Sequence, residues 1–224
     1  MGKVATDGNG TTTTFDVKGD KGEAMLFVPV SVHIDQAPLM VFFHGHSDAD
    51  DPNPQTLADY LGDIPDRDFR PLLKLKKLML IEPWGGTWSK FGTPGTAVGL
   101  ATLIEAAFGK IRPASLILAG FSGGGATLKR VGMNLGGTWF SLLSEVWCLD
   151  CMYSAEGDEW GDWARKTKKR LRVGLSSGEN SKPGMGPRAQ VKNIGTGDTV
   201  SIENFDCGHE ELPGRCINKW LTSP

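Results

Sequence analysis

The chain has 224 residues, 39% of them hydrophobic, and its 24 Lys and Arg against 26 Asp and Glu give a formal charge of −2. That is enough apolar material for one sizeable core, and the near-neutral balance leaves no electrostatic footprint for nucleic acid. No apolar run approaches the roughly 18 residues that span a bilayer and the N-terminus lacks a signal-peptide core, so the expectation is a soluble protein without a membrane partner, cytoplasmic by default and secreted if a leader was removed.

In chain order, the Thr11–Thr14 run reads as frayed or edge structure. Apolar, β-branched runs then predict strands near residues 24–32, 38–43, 77–82, 115–119, 145–150, 171–175 and 199–204. Helical patterns fall between most of them, at 55–61, 96–110, 123–135, 158–169, 186–193 and 210–222. The basic run Lys74-Leu75-Lys76-Lys77 reads as a solvated face. Strands alternating with helices imply βαβ crossovers, hence an α/β protein with a doubly wound, mostly parallel sheet flanked by helices. Residues 1–224 are expected to form a single domain, with ligands bound beyond the carboxyl ends of the strands.

The strand ending at residue 119 runs into Gly120-Phe121-Ser122-Gly123-Gly124 and then into a helical stretch. A strand that turns directly into a helix strains the serine backbone, and side chains two residues away would collide, which is a physical reason for the flanking glycines. The turn holds a hydroxyl proud at a helix N-terminus, where a developing oxyanion is stabilised. A second Gly-x-Ser-x-Gly, Gly174-Leu175-Ser176-Ser177-Gly178, also ends a strand-like run, but the segment after it cannot start a helix at once. Ser176 is therefore read as a decoy and Ser122 as the nucleophile.

A serine needs a base to take its proton, and the base needs an orienting carboxylate. Of the four histidines, His33 lies in the early β section, and His44 and His46 precede the nucleophile in a turn with another use. His209 follows the last strand and is the expected base. Asp150, at the end of the strand after the nucleophile's helix, is the favoured acid, with Glu179 and Asp206 as competitors. In His44-Gly45-His46 the glycine lets the backbone approach a carbonyl, so the N–H groups of His46 and Gly123 are expected to form the oxyanion hole, with His44 shaping the loop. The alternative for this turn is a metal pair drawn from His44, His46, Asp48, Asp50 and Asp51. Nothing else supplies a matching ligand set, so no metal or other cofactor is expected.

Four cysteines are too few to build a fold of this size on disulfides. Cys148 and Cys151 have zinc-knuckle spacing, but Cys148 lies in a strand-like run and reads as a small core hydrophobe. A Cys207–Cys216 disulfide across the histidine loop stays open. Several of the seven tryptophans fall where the walls of a site belong: Trp84 and Trp88 after one strand, Trp160 and Trp163 after Asp150. Trp84 and Trp88 are candidate substrate-binding residues, balanced evenly between stacking on a ligand and packing, whereas Trp163 and Trp220 have helical spacing suited to the core.

Together, the His-Gly turn after an early strand, the serine turn after a central one, and the order Ser122, Asp150, His209 resemble the α/β-hydrolase superfamily over roughly residues 24 to 222. The resemblance implies a Ser-His-acid triad hydrolysing carboxylic esters through an acyl-serine, with little or no lid, as in small serine esterases. The substrate would be a small-molecule ester, carrying an aromatic or carbohydrate group if the tryptophans contact it. In this superfamily the acid more often follows the next strand, where this chain offers Ser176-Ser177-Gly178-Glu179. An amidase or peptidase with the same machinery, or a non-catalytic binding protein on the same fold, are the rival readings. Oligomeric state is not legible.

Overall fold

The structure, a computed structural model, describes residues 3–17, 23–45, 68–84, 91–153, 156–177, 187–195 and 197–222. Within them one nine-stranded sheet has the order β1-β2-β3-β5-β4-β6-β7-β8-β9. The strands are β1 (Val4–Thr6), β2 (Gly10–Asp16), β3 (Glu23–Pro29), β4 (Pro38–Phe43), β5 (Met79–Pro83), β6 (Ser115–Phe121), β7 (Leu143–Leu149), β8 (Arg170–Leu175) and β9 (Val200–Asn204). From β5 through β9 the pairings are all parallel, while β1, β2 and β3 add antiparallel strands at one side.

The strands expected from sequence all form. β3 stops at Pro29 rather than at 32, where Ser31 turns with φ +61°. The threonine run is not frayed: Thr11–Thr14 lies inside β2, which pairs with β3 along its whole length. β-branched side chains suit a pleated surface, and pairing to a buried neighbour orders them.

Alternate residues of each central strand enter two separate cores. Leu39, Val41 and Phe43 of β4, with Leu116 and Leu118 of β6, face helices α2 (Ala97–Phe108), α3 (Gly125–Asn134) and α5 (Gly157–Thr167). Met40, Phe42, Ile117, Ala119 and Trp147 face α1 (Arg70–Lys76) and α7 (Leu212–Thr222) on the opposite side. Period-2 strands buried on both faces explain why they read as continuous apolar runs. Leu39, Leu116 and Leu118 have no exposed surface, so truncating any one to alanine should cost about 2–5 kcal/mol.

Sequence sets the helix ends too. Thr96 caps α2 by accepting the N–H of Gly99 at 3.0 Å, and Gly109 ends it with φ +62°. The expected helix at 186–193 is a short α6 (Pro187–Gln190) followed by a 3-10 turn. α1 and α4 (Gly137–Leu142) were not expected. The basic run lies in and just after α1, where Lys74 donates to the Gly8 carbonyl at 2.7 Å. The expected helix at 55–61 lies outside the described residues. Among those described, no helix is long and apolar enough to cross a membrane.

The chain runs from β4 outward to β5, then returns past β4 to β6 and continues the other way. The carboxyl ends of β4 and β6, paired at Phe43 and Gly120, therefore flank the point where the winding reverses. That is where an open parallel sheet leaves a crevice.

Candidate active site

Ser122 sits in this crevice. It follows β6 directly, with φ +48°, a left-handed conformation that costs a non-glycine residue on the order of 1–3 kcal/mol. A 3-10 turn, Ser122–Gly124, carries the chain into α3. The flanking glycines serve space rather than dihedral freedom. Gly124 has an ordinary φ of −66°, but a Cβ there would lie 2.1 Å from the Phe43 carbonyl oxygen. At Gly120 a Cβ would lie 2.8 Å from that of Leu128 in α3. The serine turn is thus wedged against the end of β4, and Gly45 lies on its other side, where an added Cβ would be 3.1 Å from that of Ser122.

His209 stands on the loop between β9 and α7. Its Nδ1 lies 2.9 Å from Asp150 Oδ2, and its ring packs on that of Phe121, centroids 4.5 Å apart. Both side chains are largely buried, 13% and 8% exposed. Asp150 ends β7 with φ +43°, and its amide donates to the Gly174 carbonyl of β8 at 3.0 Å. The expected base and acid are therefore brought together beside the residue that precedes the expected nucleophile. The competing acid Asp206 is exposed, and Glu179 lies outside the described residues.

Gly123 occupies the 3-10 turn at the amino end of α3. Its expected oxyanion partner His46 lies outside the described residues, as do Asp48, Asp50 and Asp51 of the alternative metal reading. His44 is buried, stacked on Trp84 (centroids 5.0 Å, 22° between planes) and edge-on to Phe91, with Nδ1–H donating to the Gly45 carbonyl at 2.5 Å. Among the described residues no group of three His, Cys, Asp or Glu side chains is placed to hold a metal ion.

Trp84 is half-buried and borders the site through His44 while also packing on the α1/α7 core. Trp88 lies outside the described residues. Trp160 and Trp163 do not line the site. They are buried in the core beneath α5, edge-to-face at 5.4 Å, with Trp160 beside Gly132 of α3. An amphipathic helix follows Asp150, and its apolar face turns the indoles inward. His33 is exposed ahead of a 3-10 turn.

All four cysteines are buried free thiols, so Cys207 and Cys216 are not bridged. Burial pushes the Cys148 thiol well above its ordinary range, helped by the neighbouring Cys151 thiol. Burial raises Cys207 and Cys216 likewise.

Two residues of the site carried no assigned role from sequence. Tyr153, three residues after Asp150, lies near the Ser122 side chain. Burial raises its ionisation above the usual 10.0, the Ser122 side chain lowers it, and Cys151 and Asp150 raise it again. Ser176 is fully buried, donating its amide N–H to Asp150 Oδ1 at 3.0 Å and its hydroxyl to Oδ2. Ser176 of the second Gly-x-Ser-x-Gly is thus enclosed against Asp150 rather than held out towards solvent.

No protein-family model matches the chain, and no curated protein sequence does. Solved structures do match in shape. A cold-adapted esterase from an Arctic intertidal metagenomic library, in a PEG-bound complex, superposes with a TM-score of 0.67 at 12% identity, covering 98% of this chain and 94% of that one. An S-formylglutathione hydrolase from Agrobacterium tumefaciens gives 0.62 at 9% identity, covering 98% and 94%. The feruloyl esterase module from Clostridium thermocellum, complexed with sinapinate, gives 0.63 at 10% identity, covering 98% and 91%. The sheet order, the helices on both faces and these likenesses agree: the chain has the α/β-hydrolase fold.

Proposed function

We propose that residues 1–224 form one catalytic domain, a serine carboxylesterase in which Ser122 is the nucleophile, His209 the base and Asp150 the acid. The observation that carries this reading is the His209 Nδ1–Asp150 Oδ2 hydrogen bond, packed on Phe121 at the strained Ser122 turn. With Nδ1–H committed to the carboxylate, Nε2 is the ring nitrogen that takes the Ser122 proton as Oγ attacks an acyl carbonyl. The N–H groups of Gly123 and His46 receive the oxyanion, at a helix N-terminus that favours negative charge. His209 returns its proton to the departing alcohol, leaving an acyl-serine. It then deprotonates water, whose attack releases the acid and restores Ser122.

The substrate in this reading is a small-molecule ester whose aromatic or sugar group stacks against Trp84 and Trp88. The sinapinate complex of the structurally similar feruloyl esterase module favours an aromatic group. The test is hydrolysis of p-nitrophenyl acetate and butyrate by the wild type, Ser122→Ala and His209→Ala, with a fluorophosphonate label mapped by mass spectrometry. Labelling at Ser122 and loss of turnover in both variants are expected. A label on Ser176, or full activity in Ser122→Ala, would sink the assignment.

A further inference from the structure

We propose that Ser176 and Ser177 form a clamp that positions the acid and the base of the site, Ser176 acting on Asp150 and Ser177 on the loop that carries His209. The proposal rests on the catalytic reading above. Ser176 is placed at the end of β8, beside β7, and presents two donors to one carboxylate: the amide to Oδ1 and the hydroxyl to Oδ2. A carboxylate only accepts, so the direction of both bonds is fixed. Because Oδ2 also accepts from His209 Nδ1, the carboxylate is held at both oxygens.

Ser177 makes the corresponding contact with the base loop. Its amide and its hydroxyl both donate to the Cys207 carbonyl, at 3.1 and 2.9 Å, two residues before His209. Downstream the loop is closed by the Gly208 amide on Glu211 Oε2 at 3.1 Å and the Leu212 amide on the His209 carbonyl at 3.2 Å. The Arg188 guanidinium donates to the Ser176 carbonyl and, at 3.0 Å, to Asn204 Oδ1 of β9, tying the clamp to the next strand.

The electrostatics give the clamp a purpose. Among the described residues, the ionisable groups that interact with Asp150 are His209, the Tyr153 phenol, and the Cys207 and Cys216 thiols, and the last three are pushed up and stay neutral. The acid's charge is therefore met by His209 on one side and by the Ser176 donors on the other. Burying a carboxylate is costly without such donors. Ser176 does not touch substrate here; it is a positioning residue.

The test uses the full chain with p-nitrophenyl butyrate. Ser176→Ala is expected to lower kcat roughly ten- to a hundredfold, the worth of a hydrogen bond to a charged group, with KM changed less than about twofold. Without the hydroxyl the carboxylate holds the imidazolium more strongly, so the acid limb of kcat/KM should move to higher pH. Ser177→Ala keeps its amide bond to Cys207, so a loss of only a few-fold with an unmoved limb is expected. In an Asp150→Asn background, adding Ser176→Ala should change kcat less than about threefold, because residues acting as a unit are not additive.

Should Ser176→Ala fail to fold by circular dichroism, Ser176→Cys, a weak donor of similar shape, carries the same cycle. Wild-type kcat with an unmoved acid limb in Ser176→Ala, or losses that multiply with Asp150→Asn, would overturn the clamp. A limb shift in Ser177→Ala would overturn its division of labour. Wild-type turnover in Ser122→Ala or Asp150→Asn would instead overturn the catalytic reading beneath it.

Discussion

The Tyr153 phenol and the Ser122 side chain are neighbours across the site, one from the loop after β7 and the other from the turn after β6, near enough that the serine favours the ionised phenol. Burial outweighs that influence and keeps the phenol neutral through the ordinary working range of pH. Tyr153→Phe is expected to lower kcat/KM by roughly three- to tenfold, the worth of one neutral hydrogen bond offered to the site. A folded-state value raised above 10.0 means that the stability it contributes is present below pH 10.0 and is lost as pH rises through the folded value. Wild-type thermal stability should therefore decline at strongly alkaline pH more steeply than that of Tyr153→Phe, as melting curves across pH 8 to 12 would register.

The acid can be assigned by isosteric substitution. Asn tolerates left-handed backbone as Asp does, so Asp150→Asn should keep the fold at φ +43° while removing the charge beside His209. A loss of about 10⁴ in turnover is expected, and Glu179→Gln should leave turnover within about twofold. The reverse ranking would move the acid to the loop after β8.

Chain order made much of this legible. Apolar runs buried on both faces announced the parallel strands, and the positions of Asp150 after β7 and His209 after β9 agree with their meeting at 2.9 Å. The short helices escaped because they show little periodicity: α1 buries only Leu73 and opens with a proline, and α4 begins at a glycine pair that reads as a turn. Ser176 escaped for a different reason. Its contact with Asp150 joins residues 26 positions apart, across a β7–β8 register that no local pattern encodes. Trp160 misled in the same manner, since position after Asp150 said nothing about which side of α5 it occupies.

The glycines of the serine turn should differ in cost. An alanine at 124 meets the Phe43 carbonyl at 2.1 Å and the His44 carbonyl at 2.7 Å, both main-chain atoms that cannot yield without moving β4. At 120 the obstacle is the Leu128 side chain, 2.8 Å away. Gly124→Ala is expected to destabilise by about 3 kcal/mol or more and to abolish activity, and Gly120→Ala by about 1–3 kcal/mol. Urea unfolding midpoints of the two variants give the comparison, and equal midpoints would contradict the wedge.

Acid stability should depend on Glu203 of β9, the edge strand, where it meets α7. Burial alone would raise its carboxyl, but the Lys219 ammonium at 2.5 Å, the Trp220 indole N–H at 2.7 Å and the charge of Arg172 outweigh it, and the result lies below the usual 4.5. For a carboxylate depressed in the folded state, the stabilisation is present above pH 4.5 and is lost as pH falls through the folded value. Glu203→Gln removes the charge and with it this dependence. The variant should melt lower than the wild type at pH 7, and the difference should shrink as pH falls through the folded value and the wild-type carboxyl takes up its proton. A constant difference in melting temperature across that range would show that the Glu203 contacts act through packing and neutral hydrogen bonds rather than through charge. Since Glu203 contacts α7 rather than the proposed triad, kcat/KM of Glu203→Gln at pH 7 should match the wild type within about twofold, separating the stability of the α7 face from the chemistry proposed at Ser122.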